Sequence, residues 1–406
     1  MFQTIAIHGR QPALGRAELE SLYGADRLRA FGSVASLMTP EVTEIDFARL
    51  GGTVRLARIL TELPSTQWRD IEMYLLEKTP EHASYVKGKL SFGLSVYGLQ
   101  ISPKKLAHTA LAIKKAIRMS GASVRMVPHT ALELGSATVI HNKLTGPQGW
   151  ELLIVSDGKS AYLAQTVRIQ DIESYTARDQ ARPYRDAKVG MLPPKLAQII
   201  INLGVGKIEK NNPPAGGMKN GLTTERILDP FCGTGVVLQE AMLMDYDIYG
   251  TDLEPRMVQY SIDNLAWLDT KYPHVGDYRR IEVGDASKHQ WYEPEKITTV
   301  ACETYLGKPL SALPPSDQLA KIMQEVNALH HRFLQNIGSQ LKSGTRLCLA
   351  IPTWRGRHEF LHLSVLDFLS DLGYNRVKFT HAGNNELIYH REDQVVAREL
   401  LVIIKK

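Results

Sequence analysis

The sequence has few cysteines and lacks long apolar segments. Only 3 of its 406 residues are cysteine, and no two of them form a C-x-x-C pair. It therefore predicts neither a disulfide framework nor a zinc site, and we expect no bound metal. No apolar run reaches the roughly 20 residues that cross a bilayer, and the first eight residues look like a short strand, unlike a signal peptide. These absences predict a cytoplasmic protein without a membrane partner.

The charge of the chain is moderate but uneven. A chain of 406 residues is too long to fold around a single hydrophobic core, so two or three domains are expected. The net charge is +5, and residues 1–190 hold 24 Lys and Arg against 18 Asp and Glu, whereas residues 191–406 hold 24 against 25. Nine bases and one acid lie between positions 78 and 125. A basic module joined to a neutral one suggests that the first holds a polyanion which the second processes.

The stretch RILDPFCGTG at 226–235 predicts a buried strand, a glycine turn and the start of a helix. Gly233 and Gly235 let the backbone approach a ligand closely, and Asp252, 17 residues after Gly235, ends the next strand, where a carboxylate can accept ribose hydroxyls. A Gly-Lys-Ser/Thr motif and a G-x-G-x-x-G spacing are both missing here. Asp229 inside the loop would repel a pyrophosphate but suits an amino or sulfonium group. The predicted ligand is S-adenosylmethionine.

The segment Asp229-Pro-Phe-Cys-Gly-Thr-Gly235 resembles motif I of class I methyltransferases that act on exocyclic amino groups of nucleobases. The chain as a whole resembles the THUMP-bearing tRNA guanosine methyltransferases, which methylate the guanine 2-amino group. Asp285 follows a further strand and is placed to accept the adenine amino group. The predicted cofactor-binding residues are Asp229, Phe231, Gly233, Gly235, Asp252, Leu253, Asp285 and Ala286.

The expected catalytic motif departs from the family pattern. The family has Asp/Asn-Pro-Pro-aromatic after the fourth strand, where oxygens hold the amino hydrogens and the ring stacks on the base. This chain has Glu303-Thr-Tyr-Leu-Gly307. The predicted catalytic residues are Glu303, which keeps a carboxyl acceptor, and Tyr305, which supplies a ring. Activity on RNA is favoured; methylation of DNA amino groups, or RNA binding without methyl transfer, are the alternatives.

The order of elements before the motif resembles a ferredoxin-like segment at 1–60 and a THUMP-like RNA-binding domain at 61–178, followed by a methyltransferase domain at 179–406 that opens with a linker at 179–195. Ser102 and Pro103 predict the start of a helix with an apolar stripe. Its bases either form a solvated face or contact RNA, most plausibly tRNA in view of the resemblance. The predicted RNA-binding residues are Lys104, Lys105, Lys114, Lys115 and Arg118.

Alternating elements after residue 195 predict an α/β fold with a Rossmann-like, mainly parallel seven-stranded sheet, behind α+β ferredoxin-like and THUMP domains. Among the elements, we expect a strand at 137–140 and a helix at 360–372. Trp354 to Arg357 are expected at the substrate mouth. The pairs His330/His331 and His358/His362 are expected to be helix or core residues without a metal. The nucleotide, the number of methyl groups, and a small partner subunit or homodimer are left open.

Overall fold

The computed structural model describes residues 1–186, 192–207, 225–272, 279–357 and 359–406. The helices in these ranges are α1 Pro12–Tyr23, α2 Trp68–Ala83, α3 Pro103–Met119, α4 Ser136–His141, α5 Ile172–Gln180, α6 Pro194–Val205, α7 Val236–Leu243, α8 Pro255–Lys271 and α9 Ser316–Gly338. The strands are β1 Thr4–His8, β2 Leu28–Phe31, β3 Ala35–Met38, β4 Thr53–Glu62, β5 Leu90–Tyr97, β6 Val124–Met126, β7 Gly149–Ser156, β8 Ala161–Ile169, β9 Arg226–Asp229, β10 Asp247–Asp252, β11 Arg279–Val283, β12 Ile297–Glu303, β13 Arg346–Arg355, β14 Phe360–Leu361, β15 Tyr374–Arg376, β16 Ile388–Tyr389 and β17 Val396–Lys405.

The chain forms two compact units. Unit 1 consists of Met1–Pro12, Asp26–Ala48 and Thr53–Glu173. Unit 2 consists of Ala13–Ala25, Arg49–Gly52 and Ser174–Lys406. The interpretation of the first 178 residues as a ferredoxin-like segment and a THUMP-like domain stays a prediction.

Unit 1 is built on one eight-stranded sheet in the order β2-β3-β1-β4-β8-β7-β5-β6. The pairs β5–β6 and β5–β7 are parallel, and the other pairs are antiparallel. Helix α3 begins as predicted, because the Ser102 hydroxyl accepts a hydrogen bond from the Lys105 N–H at 3.2 Å and Pro103 occupies the first turn. Its apolar stripe is buried together with residues of α2 and β5.

The sheet of unit 2 has the order β11-β10-β9-β12-β13-β17-β15, with the short strands β14 and β16 paired to β13 and β17. The first five strands of this order, from β11 at the edge to β13, run parallel to one another. Strand β17 is antiparallel to its neighbours β13 and β15. Successive residues belong to different apolar clusters: Ile227 packs with α6 and α7, whereas Leu228 packs with α9. Both faces of the sheet are therefore covered by helices, which confirms the predicted α/β class.

Two early segments belong to unit 2 through a buried polar cluster. The Glu18 carboxylate on α1 accepts hydrogen bonds from the backbone N–H groups of Gly51 and Gly52, each at 2.9 Å. Asn202 on α6 donates to Glu18 at 2.8 Å and accepts from Arg49 at 2.9 Å. These charge-assisted bonds fasten residues 13–25 and 49–52 within unit 2.

Two predicted elements were wrong. Residues 137–140 lie in α4, not in a strand, because Val139 packs into a small cluster with Val127, Leu134 and Leu144. A short apolar run cannot by itself distinguish the two states. The segment 360–372 is not a helix either: it contains β14, which pairs with the end of β13, and a 3-10 turn at Ser364–Phe368.

Within the described ranges, no helix combines the length and the apolar character needed to span a membrane. No group of three or more His, Cys, Asp or Glu side chains in that part of the chain is arranged to hold a metal ion.

Candidate cofactor and substrate site

The parallel strands of unit 2 end in acids at one edge of the sheet. Asp229 ends β9, Asp252 ends β10, and Glu303 ends β12. Asp285 follows β11 by two residues. Since parallel strands place their carboxyl ends side by side, these four acids surround one crevice.

That crevice is a cavity of about 570 Å³, within the range of small-molecule sites. It collects nine of the ten residues predicted for cofactor binding and catalysis, and Gly235 is the exception. Leu192, in the linker that precedes α6, also lines it. The predicted residues on its lining are Asp229, Phe231, Gly233, Asp252, Leu253, Asp285, Ala286, Glu303 and Tyr305.

The glycine loop needs its two glycines for different reasons. Both have left-handed backbone, with φ of 51° at Gly233 and 81° at Gly235. A Cβ at Gly233 would meet nothing closer than 4.0 Å, so that side of the loop is open to a ligand. A Cβ at Gly235 would approach the Ser261 hydroxyl to 3.0 Å, so α8 packs closely there. The first glycine therefore borders the cavity and the second fixes the loop on α8.

Asp252 holds this loop in place. Its Oδ2 accepts the Gly233 N–H at 2.9 Å, and its Oδ1 accepts the Glu254 N–H at 3.0 Å. Burial raises the pKa of Asp252, and the two N–H donors oppose that shift. Each carboxylate oxygen retains a further lone pair, which can accept a hydroxyl. Beside it, Leu253 is 64% exposed and presents an apolar surface to the cavity.

Asp229 is the most buried acid of the site, with an exposure of 1%. Burial raises its pKa well above the usual range, the Phe231 N–H at 3.1 Å opposes this, and the carboxylates of Asp252 and Glu303 raise it further. Several acids around one cavity repel each other when all are ionised. A cationic ligand would relieve this repulsion, so the donor set fits the sulfonium and amino groups of S-adenosylmethionine.

Asp285 has a different environment. Its Oδ1 accepts hydrogen bonds from the Ser287 hydroxyl at 2.7 Å and from the Ser287 N–H at 3.0 Å. The hydroxyl bond is the main cause of a lowered pKa for Asp285, and Lys288 adds to it. Asp285 therefore stays ionised at the cavity edge and can accept an amino group.

Glu303 forms a buried ion pair that the sequence did not predict. Its Oε1 accepts a hydrogen bond from the Nε of Arg398 on β17, and the two side chains are 15% and 8% exposed. Arg398 is not among the predicted site residues, because nothing in the linear sequence brings β17 to the end of β12. Tyr305, 46% exposed, lines the same cavity.

Thr304, between the two predicted catalytic residues, faces away from solvent. Its hydroxyl lies 2.7 Å from Nε2 of His330, whose Nδ1 lies 2.8 Å from the carbonyl oxygen of Val326. Because that carbonyl only accepts, Nδ1 carries the proton and the Thr304 hydroxyl donates to Nε2. Burial lowers the pKa of His330 to about 4. His330 is thus a neutral core residue that anchors the 303–305 segment.

Trp354 does not belong to the substrate mouth, which corrects the prediction for that residue. Trp354 is fully buried, because β13 continues through it and pairs with β14 and β17. None of residues 354–357 lines the 570 Å³ cavity. His362 binds Glu399 on β17, and the other histidine predicted beside it, His358, lies outside the described residues.

The predicted RNA-binding bases lie on α3 of unit 1. Lys104, Lys115 and Arg118 are exposed, and their spacings of 11 and 3 residues place them along one side of the helix. Lys105 binds Glu72 of α2 at 2.6 Å, and Lys114 is half-buried. Three of the five bases therefore form a cationic stripe along one side of α3, with the exposed Leu111 between Lys104 and Lys115.

The strand order of unit 2, with a glycine loop after β9 and acids at four strand ends, defines the Rossmann-like class I methyltransferase fold. Residues 218–368 match the family model described as UPF0020: RMKL-like, methyltransferase domain. This confirms the predicted methyltransferase resemblance for that part of the chain. S-adenosylmethionine is the cofactor of a domain of this class.

Two curated relatives are similar over part of the chain. The tRNA (guanine(10)-N2)-dimethyltransferase of Methanothermobacter thermautotrophicus is 31% identical over 176 residues, 43% of each chain. The enzyme of the same description from Pyrococcus abyssi is 31% identical over 165 residues, 40% of this chain and 39% of the relative. The matches thus span less than half the length of these relatives.

Among solved structures, TrmN from Thermus thermophilus covers 100% of both chains with a TM-score of 0.52 and 16% identity. At that identity the likeness concerns the fold alone, and it extends over both units.

Proposed function

We propose that this protein is an S-adenosylmethionine-dependent RNA methyltransferase that modifies the 2-amino group of a guanosine in tRNA. The observation that carries the proposal is the single cavity in which a glycine loop and three cofactor-side acids meet Glu303 and Tyr305. The activity for which the two curated relatives are named supports the choice of guanosine and tRNA.

The cofactor would be held by the strand ends and the glycine loop. Asp252 accepts the ribose hydroxyls, Asp285 with Ala286 and Leu253 holds the adenine, and Asp229 with Phe231 and Gly233 surrounds the methionine end. When bound, S-adenosylmethionine supplies an electrophilic methyl group on a cationic sulfur. The acids make the site attractive to that charge before any substrate arrives.

The base would be held by Glu303 and Tyr305. An exocyclic amino group needs little general base, because its lone pair only has to be turned toward the methyl donor. The Glu303 carboxylate accepts the hydrogens of that amino group, and the exposed Tyr305 ring stacks on the base. The segment that replaces the family motif thus still contains a hydrogen-bond acceptor and an aromatic ring. The ring stands one residue before the aromatic position of the family motif.

The RNA would be bound outside the catalytic crevice by the cationic stripe of α3. Phosphate contacts require charge in the right place rather than a particular sequence, and Lys104, Lys115 and Arg118 supply it. Lys105 and Lys114 contribute less, since the first is paired with Glu72 and the second is half-buried. As a tRNA-modifying enzyme, the protein would act in the cytoplasm.

The test is transfer of labelled methyl groups from S-adenosylmethionine to bulk tRNA, followed by mass analysis of the digested nucleosides. We expect label in N2-methylguanosine or its dimethylated form, and none with Asp252→Ala. Label in DNA but not tRNA would favour the DNA alternative. No transfer to either pool, with S-adenosylhomocysteine still bound, would show an RNA-binding protein without activity.

A further inference from the structure

We propose that Arg398 is a positioning residue for Glu303, and that the carboxylate it fixes makes the site selective for guanine over bases without an N1–H donor. This inference rests on the proposed function, because Glu303 must face the substrate base. It assigns a role to a residue of β17, the last strand of the chain, in a site otherwise built from the carboxyl ends of parallel strands.

The strand register explains how Arg398 reaches the site. Glu303 on β12 is the register partner of Ala350 on β13, while Arg398 on β17 is opposite Pro352, two residues further on. Residues two apart on a strand point to the same face. The Arg398 side chain therefore extends across β13, over a strand whose side chains at 350 and 352 are short. No other residue type has this length together with a rigid, permanent charge.

The ion pair leaves Glu303 with one occupied and one open oxygen. Oε1 accepts from Arg398, whereas Oε2 accepts no hydrogen bond from the described residues. Glu303 has one more rotatable bond than the Asp or Asn of the family motif, so it would otherwise sample several orientations at a rotamer cost. Arg398 removes that freedom. It also places a positive charge next to Glu303, whose carboxylate raises the pKa of Asp229 in the same cavity.

An ionised carboxylate only accepts hydrogen bonds, and this decides which base edge it favours. Guanine presents N1–H and its 2-amino group side by side, so both can donate to one carboxylate. Adenine presents an amino donor next to N1, which is an acceptor and would face the carboxylate charge unpaired. Unpaired buried polar groups are strongly disfavoured, so the fixed charge both attracts guanine and rejects adenine.

The chain contains a matched ion pair for comparison. The next residue of β17, Glu399, points to the opposite face of the sheet and binds Arg376 at 2.7 Å, with 1% and 24% exposure. Neither residue lines the cavity. Arg376→Met therefore removes one partner of Glu399, which His362 also binds, without touching Glu303, and separates a structural effect from a positioning effect.

The experiment is a double-mutant cycle on guanine methylation with Arg398→Met, Glu303→Gln and both together. We expect each single variant to lower kcat by about 100-fold, with unchanged affinity for S-adenosylhomocysteine. The double variant should be no slower than Glu303→Gln, because Arg398 acts through that carboxylate. Arg398→Lys should recover part of the rate, and Arg376→Met should retain kcat within about threefold even if its unfolding midpoint falls.

Specificity is measured with a substrate RNA that carries 2-aminopurine in place of the modified guanosine. This base keeps the 2-amino group but has an acceptor at N1. The wild-type protein should have a lower kcat/KM for the 2-aminopurine RNA than for the guanosine RNA. Glu303→Gln should bring the two kcat/KM values closer together, because an amide can donate to N1.

Two results would overturn the inference while leaving the proposed function intact. The first is a double variant whose rate loss equals the product of the losses in Arg398→Met and Glu303→Gln. The second is a Glu303→Gln variant in which the ratio of kcat/KM for the guanosine RNA to that for the 2-aminopurine RNA is the same as in the wild type. A wild-type protein that transfers no methyl group to any guanosine would overturn both.

Discussion

The side-chain amide of Asn264 on α8 binds both backbone polar groups of Tyr184. Its Oδ1 accepts the Tyr184 N–H at 2.9 Å, and its Nδ2 donates to the Tyr184 carbonyl at 3.0 Å. The same Nδ2 lies 2.9 Å from the carbonyl of Thr234 in the glycine loop. The Tyr184 ring stacks on Tyr260 with centroids 4.4 Å apart. One buried amide therefore connects the segment that precedes α6 to the glycine loop.

We expect Asn264→Ala to weaken binding of S-adenosylhomocysteine about tenfold, because the Thr234 carbonyl and the Tyr184 backbone lose their partner. Titration calorimetry measures this. Gln259→Ala, an exposed change on the same helix, is the control and should leave the Kd unchanged. A normal Kd in Asn264→Ala would mean that the loop keeps its shape without the linker.

Asp252→Ala should raise the Kd for S-adenosylhomocysteine by about 100-fold or more. The change removes the acceptor for the ribose and also the partner of the Gly233 N–H. Asp263→Ala, an acid of α8 that does not line the cavity, is the comparison. Equal affinity in the two variants would place the ribose elsewhere.

Replacing each of the two loop glycines by alanine separates the cost of backbone strain from the cost of steric crowding by a Cβ atom. Gly233→Ala should cost about 1 kcal/mol in the free energy of unfolding, because only its left-handed backbone is unfavourable. Gly235→Ala should cost about 2–3 kcal/mol, because its Cβ also crowds Ser261. Urea unfolding of both variants compares them directly. Equal losses of unfolding free energy in the two variants would show that Ser261 moves aside for the Cβ without an energetic cost.

The stability of unit 2 should fall below neutral pH because of His330. Its pKa is about 4 in the fold against 6.5 normally, so the unfolded chain binds more protons between these values. Stability is therefore complete above about pH 6.5 and is lost as the pH falls toward 4, by at most about 3 kcal/mol. His330→Gln should show a flatter dependence in unfolding measured from pH 7 to 4. Parallel curves would contradict a neutral buried imidazole.

Lys115→Ala should weaken tRNA binding and reduce the slope of log K against log salt by about one. The exposed side chain lies in the cationic stripe of α3, so one phosphate contact is removed. Lys296→Ala in unit 2 removes the same charge from a lysine bound to Glu293 and serves as the control. A loss of affinity without a change of slope would argue against a phosphate contact.

The sequence predicted the parts of the site that depend on local chemistry. Asp229, Gly233 and Asp252 follow short apolar strands, and their spacing places them at one sheet edge whatever surrounds them. The start of α3 at Ser102 and Pro103 was equally local, because capping depends on neighbouring residues. The predicted secondary structure was wrong at 137–140 and 360–372. In these short apolar segments the secondary structure depends on packing against residues elsewhere in the chain.

By itself the sequence determined the class of the catalytic domain and the positions of its acids, because a glycine loop and strand-end carboxylates are encoded by neighbouring residues. Only the tertiary structure decided that Arg398 pairs with Glu303, that Asn264 joins Tyr184 to the glycine loop, and that Trp354 belongs to the core. These contacts join residues that lie far apart along the chain. They depend on strand register and helix packing, which no local pattern specifies.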